Sequence, residues 1–160
     1  MAADFKLEGL DAAMAKLRAL GDPKRVKSAV RSASTKAMRP VRDAARAGAM
    51  RLNDAHTPEV IAKNIATQYS SRQSKGDKVV VRVGVRGGAR DMTAYGEFKG
   101  KGSGNPGGDT FYWRFLEFGT QNMAARPFMR PALEANQEKV TAEFTEYLGP
   151  AIDKIIAKGR

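Results

Sequence analysis

The sequence predicts an α+β fold: a small antiparallel sheet with a long N-terminal helix and C-terminal helices packed on it, interrupted by a long Gly-rich loop. Three observations predict it. Residues 78–86 read KVVVRVGVR and set Val79, Val81, Val83 and Val85 on one face, the period of a half-buried strand. Val26, Val30, Ala33, Ala37, Val41, Ala44 and Gly48 instead recur at intervals of three and four, the period of a helix. Between them and the C-terminal helical region, residues 87–110 hold eight of the sixteen glycines, too few apolar side chains to build a core of their own.

Taken in order, Phe5 and Leu7 alternate with charged residues and give a candidate edge strand over residues 3–8. Leu10, Met14, Leu17 and Leu20 then predict an amphipathic helix over 10–20, stopped by Gly21. Asp22 as N-cap and Pro23 at the first helical position start the long helix. Pro40 lies inside its rhythm and removes one intrahelical bond, so a kink or break is expected near Met38–Arg39. Thr57-Pro58-Glu59 predicts a short helix through Asn64. Residues 65–71 and 78–86, joined by a turn over Gln73–Asp77, form the expected hairpin.

Phe111 to Leu133 reads FYWRFLEFGTQNMAARPFMRPAL and holds the only tryptophan and four of the seven phenylalanines. Phe111, Phe115 and Phe118 share one helical face, which predicts a short buried amphipathic helix. Asp109 or Thr110 is its expected N-cap, and Gly119 its terminator. Arg126-Pro127 favours extended backbone after a loop over 120–125, and Pro131 suits the first turn of the next helix. Leu133, Val140, Phe144 and Leu148 continue with helical spacing, and Gly149-Pro150 is expected to interrupt before a last segment bearing Ile152, Ile155 and Ile156. One domain over 1–160 is the simplest organisation at this length, with 87–110 as a flexible insert.

Glu117 sits between Leu116 and Phe118 and needs cationic or hydrogen-bonding partners if buried; Arg114, Arg126 and Arg130 are the candidates. A structural Glu–Arg pair is the plain reading. A catalytic acid is the sharp one, and it lacks a second carboxylate, histidine or nucleophile nearby. His56 is the single histidine, without the second ligand a metal site needs, so no metal, cofactor or catalytic residue is expected. Gly100-Lys101-Gly102-Ser103-Gly104 lacks the spacing of a phosphate-binding loop. Within the insert, Tyr95, Phe98, Lys99 and Lys101 are candidate contacts to a partner.

The formal net charge is +11, and residues 1–51 carry twelve Lys/Arg against five Asp/Glu, a local excess of seven. Lys24, Arg25, Lys27, Arg31, Lys36, Arg39, Arg42 and Arg46 fall on the polar side of the long helix. This face is either solvated or set against an acidic neighbour or DNA. No interleaved aromatics or base-reading amides point to sequence-specific readout. The chain has no cysteine, hence no disulfide framework. No signal peptide is read at the N-terminus, and no apolar run of membrane-spanning length occurs.

Phe115-Leu116-Glu117-Phe118-Gly119-Thr120, a short loop, then Arg126-Pro127-Phe128-Met129-Arg130-Pro131-Ala132-Leu133 resembles the hallmark of the tail completion, neck or head–tail joining proteins of long-tailed, lambda-like phages. Phe5-Lys6-Leu7-Glu8-Gly9-Leu10 is similar to the opening segment of that family, whereas residues 87–110 match no part of its pattern. The resemblance implies a structural virion protein, made in the bacterial cytoplasm and assembled as a ring, six subunits being expected, at the head–tail junction. It implies partners among the neck, tail-terminator and tail-tube proteins, with DNA passing through the lumen. It implies neither enzyme activity nor a membrane. The alternative reading is a basic, non-specific nucleic-acid-binding protein, resting on charge alone.

Overall fold

The computed structural model describes residues 23–53, 55–56, 59–86 and 104–158. Helix α1 spans Pro23–Ala37, α2 Arg39–Arg51, α3 Ile61–Asn64, α4 Trp113–Phe118, α5 Met129–Glu134 and α6 Gln137–Lys158. Strands β1, Ile65–Tyr69, and β2, Val81–Val85, make a two-stranded antiparallel sheet, and the described chain is α+β. The candidate strand 3–8, the helix 10–20 and residues 87–103 of the insert, with Tyr95, Phe98, Lys99 and Lys101, lie outside the described residues.

The long helix breaks at Met38, where expected: Pro40 has no N–H to offer the preceding turn, and α2 restarts at Arg39. The described residues form two compact units. One is drawn from residues 23–40, 68–82 and 137–158; the other from 41–67 and 83–136.

In the first unit, Val26, Val30, Ala33 and Ala37 are the buried stripe of α1, and Val140, Phe144 and Leu148 are that of α6. Each stripe advances by three or four residues, so each helix buries one face. Every large side chain there contributes about 1.5–3 kcal/mol. Helix α6 runs unbroken through Pro150, contrary to the interruption expected at Gly149-Pro150. Both residues are on its exposed side, where a helix tolerates the loss of one backbone bond.

The hairpin is shorter than the expected 65–71 and 78–86. Val80 O accepts from Ser70 N–H, and Asn64 O from Arg86 N–H, both at 2.9 Å, which sets Ile65 opposite Val85 and Tyr69 opposite Val81. Ser74 ends the ladder. Its hydroxyl donates to Ser70 O at 2.6 Å and accepts the Val80 N–H at 2.9 Å, pulling residues 70–80 into a closed turn. Lys27 Nζ donates to the carbonyls of Ser74 and Gly76 at 3.0 and 2.8 Å and ties that turn to α1.

The core of the second unit is Ala45, Ala49, Ile61, Ala62, Ile65, Phe128 and Ala132. Leu52, Val60, Val83, Val85, Tyr112, Trp113, Leu116 and Met129 pack around it. Small residues on α2 let Phe128 approach closely: a Cβ on Gly48 would lie 3.0 Å from that of Phe128. Helix α3 begins only at Ile61, because Val60 is extended and donates its N–H to Gly107 O at 2.7 Å.

Candidate functional site

The FLEFGT and RPFMRPAL segments meet through Glu117. The residue is 1% exposed, and its side chain reaches the backbone where α5 begins. Oε2 accepts the N–H groups of Phe128 and Met129 at 2.8 and 2.9 Å, and Oε1 accepts that of Arg130 at 3.1 Å. These are orphan donors of a helix start, and a carboxylate is the natural acceptor for them. Arg130 adds a charged clamp: Nε lies 3.4 Å from Oε1, and Nη2 donates to the Glu117 carbonyl at 3.1 Å. Its guanidinium also lies 5.2 Å from the centre of the Phe118 ring. Of the three expected cations, Arg130 is the one that pairs, and the backbone N–H groups supply most of the partners.

The loop between the segments is closed by Gly119. Its φ of +76° suits glycine, and its N–H donates to Phe115 O at 2.8 Å. Thr120 and Met123 bridge each other, and Arg126 N–H donates to Leu116 O at 2.7 Å. Arg126-Pro127 thus runs extended beside α4 and delivers Phe128 into the core.

The aromatic helix is turned the other way round from the sequence expectation. Helix α4 starts at Trp113, and its inward face is Tyr112, Trp113, Leu116 and Glu117. Phe115 and Phe118 are 46% and 50% exposed. The demand of Glu117 for three amide donors fixes the helix rotation and leaves the phenylalanine face outward. Phe111 stacks edge-on to Phe115 at 6.4 Å. Thr110, an expected N-cap, is fully buried and takes a different role.

That role belongs to a second polar cluster, which the sequence reading missed. Asn64 is fully buried; Nδ2 donates to Gly108 O and Thr110 Oγ1, both at 2.8 Å, and Oδ1 accepts the Gly107 N–H at 2.7 Å. Asn105, Gly107 and Gly108 are buried as well, so this end of the expected flexible insert is anchored from Asn105 to Thr110, while Gly104 and Pro106 are exposed. The signal was the Asn105-Pro106-Gly107-Gly108 turn run beside Thr110. Nothing in the sequence around Asn64 marked it as the other half.

These residues build two hydrogen-bonded interlocks between segments distant in sequence. Over residues 11–119 the sequence matches the family described as "Bacteriophage HK97-gp10, putative tail-component". The chain belongs to this family of phage tail components. No curated protein and no solved structure matches it. The matched span ends at Gly119, so in this tail component Glu117, inside the span, holds a segment that lies beyond it.

The basic residues of the tail component divide between the two units. On α1, the Arg31 guanidinium lies 4.2 Å from the centre of the Tyr69 ring and Lys36 Nζ 5.4 Å from that of Tyr147. Arg39 is exposed. In the other unit, Arg42 pairs with Asp43 at 2.8 Å, and Arg46 donates from Nε and Nη2 to Ile65 O at 3.0 and 2.8 Å. Arg46 is therefore a brace on the first residue of β1. Among the described residues no group of three or more acidic, histidine or cysteine side chains is placed to hold a metal, and no helix is long and apolar enough to cross a membrane.

Proposed function

We propose that this tail component is a structural virion protein of the tail completion or neck type, whose copies form a six-membered ring at the head–tail junction around the DNA channel. Membership of the phage tail-component family over residues 11–119 is the observation that carries the reading. The resemblance of the FLEFGT…RPFMRPAL pattern to neck proteins is what favours neck over other tail positions in this reading. Its action is interfacial: the Glu117 interlock presents rigid surfaces to neighbouring copies and to the neck, tail-terminator or tail-tube proteins above and below. DNA in the lumen meets exposed cations such as Arg31, Lys36 and Arg39 without base readout.

The test is electron microscopy of lysates from a phage or prophage carrying an amber mutation in this gene. Filled heads separated from tails, or tails of abnormal length, are expected. Normal infectious particles from the mutant would rule the reading out.

A further inference from the structure

The outward face of α4 is aromatic and basic. Phe115 and Phe118, 46% and 50% exposed, are three residues apart and so neighbours on the helix. Met123, 37% exposed, lies in the bridge that follows. Arg114, Arg126 and Arg130 are exposed around them; Arg126 is held to α4 by its backbone bond to Leu116, and Arg130 lies against the Phe118 ring. Arg114 and Arg126 make no ion pair among the described residues. Aromatic anchors rimmed by guanidiniums are the composition of an interface, and they select an acidic partner with room for the rings.

The chain carries such a surface itself. On α6, Glu138, Ala142, Glu146, Gly149 and Asp153 are all exposed and recur at intervals of four, four, three and four. That spacing makes one stripe, opposite the buried Val140, Phe144 and Leu148. Its three carboxylates make no ion pair among the described residues. Ala142 and Gly149 lie between them, and a Cβ on Gly149 would meet no atom within 4 Å. Lys139 and Lys154 fall at its margins. In a chain of net charge +11 this is a localised acidic face.

We propose that the Phe115/Phe118 patch of one copy docks on the acidic α6 stripe of a second copy. The guanidiniums of Arg114 and Arg126 meet Glu138 and Glu146, and the two rings lie over Ala142 and Gly149. The two surfaces differ, so the contact is heterologous and repeats head to tail from copy to copy, as a ring requires. The inference rests on the assembly reading above and names the surfaces that would carry it.

The experiment uses the full chain in two charge-reversed forms, one with Arg114→Glu and Arg126→Glu, the other with Glu138→Lys and Glu146→Lys. Sedimentation velocity is expected to show self-association of the wild-type protein. Each reversed form alone sets like charges face to face and is expected to associate at least about tenfold more weakly. An equimolar mixture of the two restores opposite charges at every contact and is expected to recover assemblies, a result that misfolded variants cannot give. A monomeric wild-type protein, reversed forms that associate like wild type, or a mixture that stays dissociated would each overturn the proposal. So would loss of single-stranded DNA retention without loss of self-association in the Arg114/Arg126 form, because the patch would then serve a nucleic acid. The amber phenotype is read independently, so these surfaces can fail while the neck assignment stands.

Discussion

The carboxylate of Glu117 and the backbone amide of Phe128 are 2.8 Å apart, and that bond joins the two halves of the motif. Glu117 is the last inward-facing side chain of α4, and Phe128 is the core residue on which α5 begins. One acidic side chain thereby fixes the rotation of α4, caps the backbone of α5 and keeps Phe128 in the core. Leu116 and Phe118, its sequence neighbours, are left at the edge of the core and in solvent.

Glu117→Ala is expected to destabilise the fold by about 3–5 kcal/mol, since it strips three amide donors and an arginine of their shared acceptor. Glu117→Gln keeps one acceptor oxygen but turns an NH₂ toward the remaining donors, so it should lie between wild type and alanine. Urea unfolding at neutral pH checks both. An alanine variant with wild-type stability and lost biological function would instead mark the carboxylate as chemically active.

Asn64 fills a comparable role for residues 107–110. Asn64→Ala takes away the Asn64 bonds of the Gly107 N–H and the Thr110 hydroxyl, and leaves the Gly108 carbonyl with only the longer 3.3 Å bond from Asn105 Nδ2. A loss of about 3 kcal/mol is expected. Asn64→Asp preserves the acceptor for Gly107 but sets a buried charge against the Gly108 carbonyl, so it should be no milder. Thermal melts, with hydrogen exchange at the Gly107 amide, measure both effects.

Gly107 and Gly119 are two of the glycines that the interlocks require. A Cβ on Gly107 would collide with the Val60 carbonyl and press on Asn64 Oδ1 at 3.0 Å. On Gly119 it would lie 2.9 Å from both Ala125 N and Met123 O, at a φ of +76°. Gly107→Ala and Gly119→Ala should each lower the melting temperature clearly, by about 1–3 kcal/mol of stability or more. Gly104→Ala, which meets nothing within 4 Å, is the matched control and should change little.

Local signals carried most of the fold into the sequence. Pro40 announced the break after Ala37, alternating valines announced β2, and Gly119 announced the end of α4. What was misread depended on partners distant in sequence. The periodicity of Phe111, Phe115 and Phe118 marked a face but could not say which side met the core, because Glu117 settles that through amides eleven to thirteen residues away. Residues 104–110 looked mobile because their anchor, Asn64, lies more than forty residues upstream. Pro150 looked like a break because spacing alone did not reveal that it sits on the solvent side of α6.

Contact with DNA gives the last prediction. Among the cations singled out on the N-terminal helices, Arg46 is occupied by Ile65 O and Arg42 by Asp43, whereas Arg31, Lys36 and Arg39 are exposed. Each phosphate neutralised by a lysine or arginine adds about −0.9 to the slope of log affinity against log salt. Fluorescence anisotropy with a random duplex should therefore show weak binding at low salt that fades toward physiological salt. Combining Arg31→Ala, Lys36→Ala and Arg39→Ala should make that slope shallower by about 2–3. Arg42→Ala should change it by less than one such step. A slope unchanged by the triple substitution would show that these side chains face protein or solvent rather than DNA.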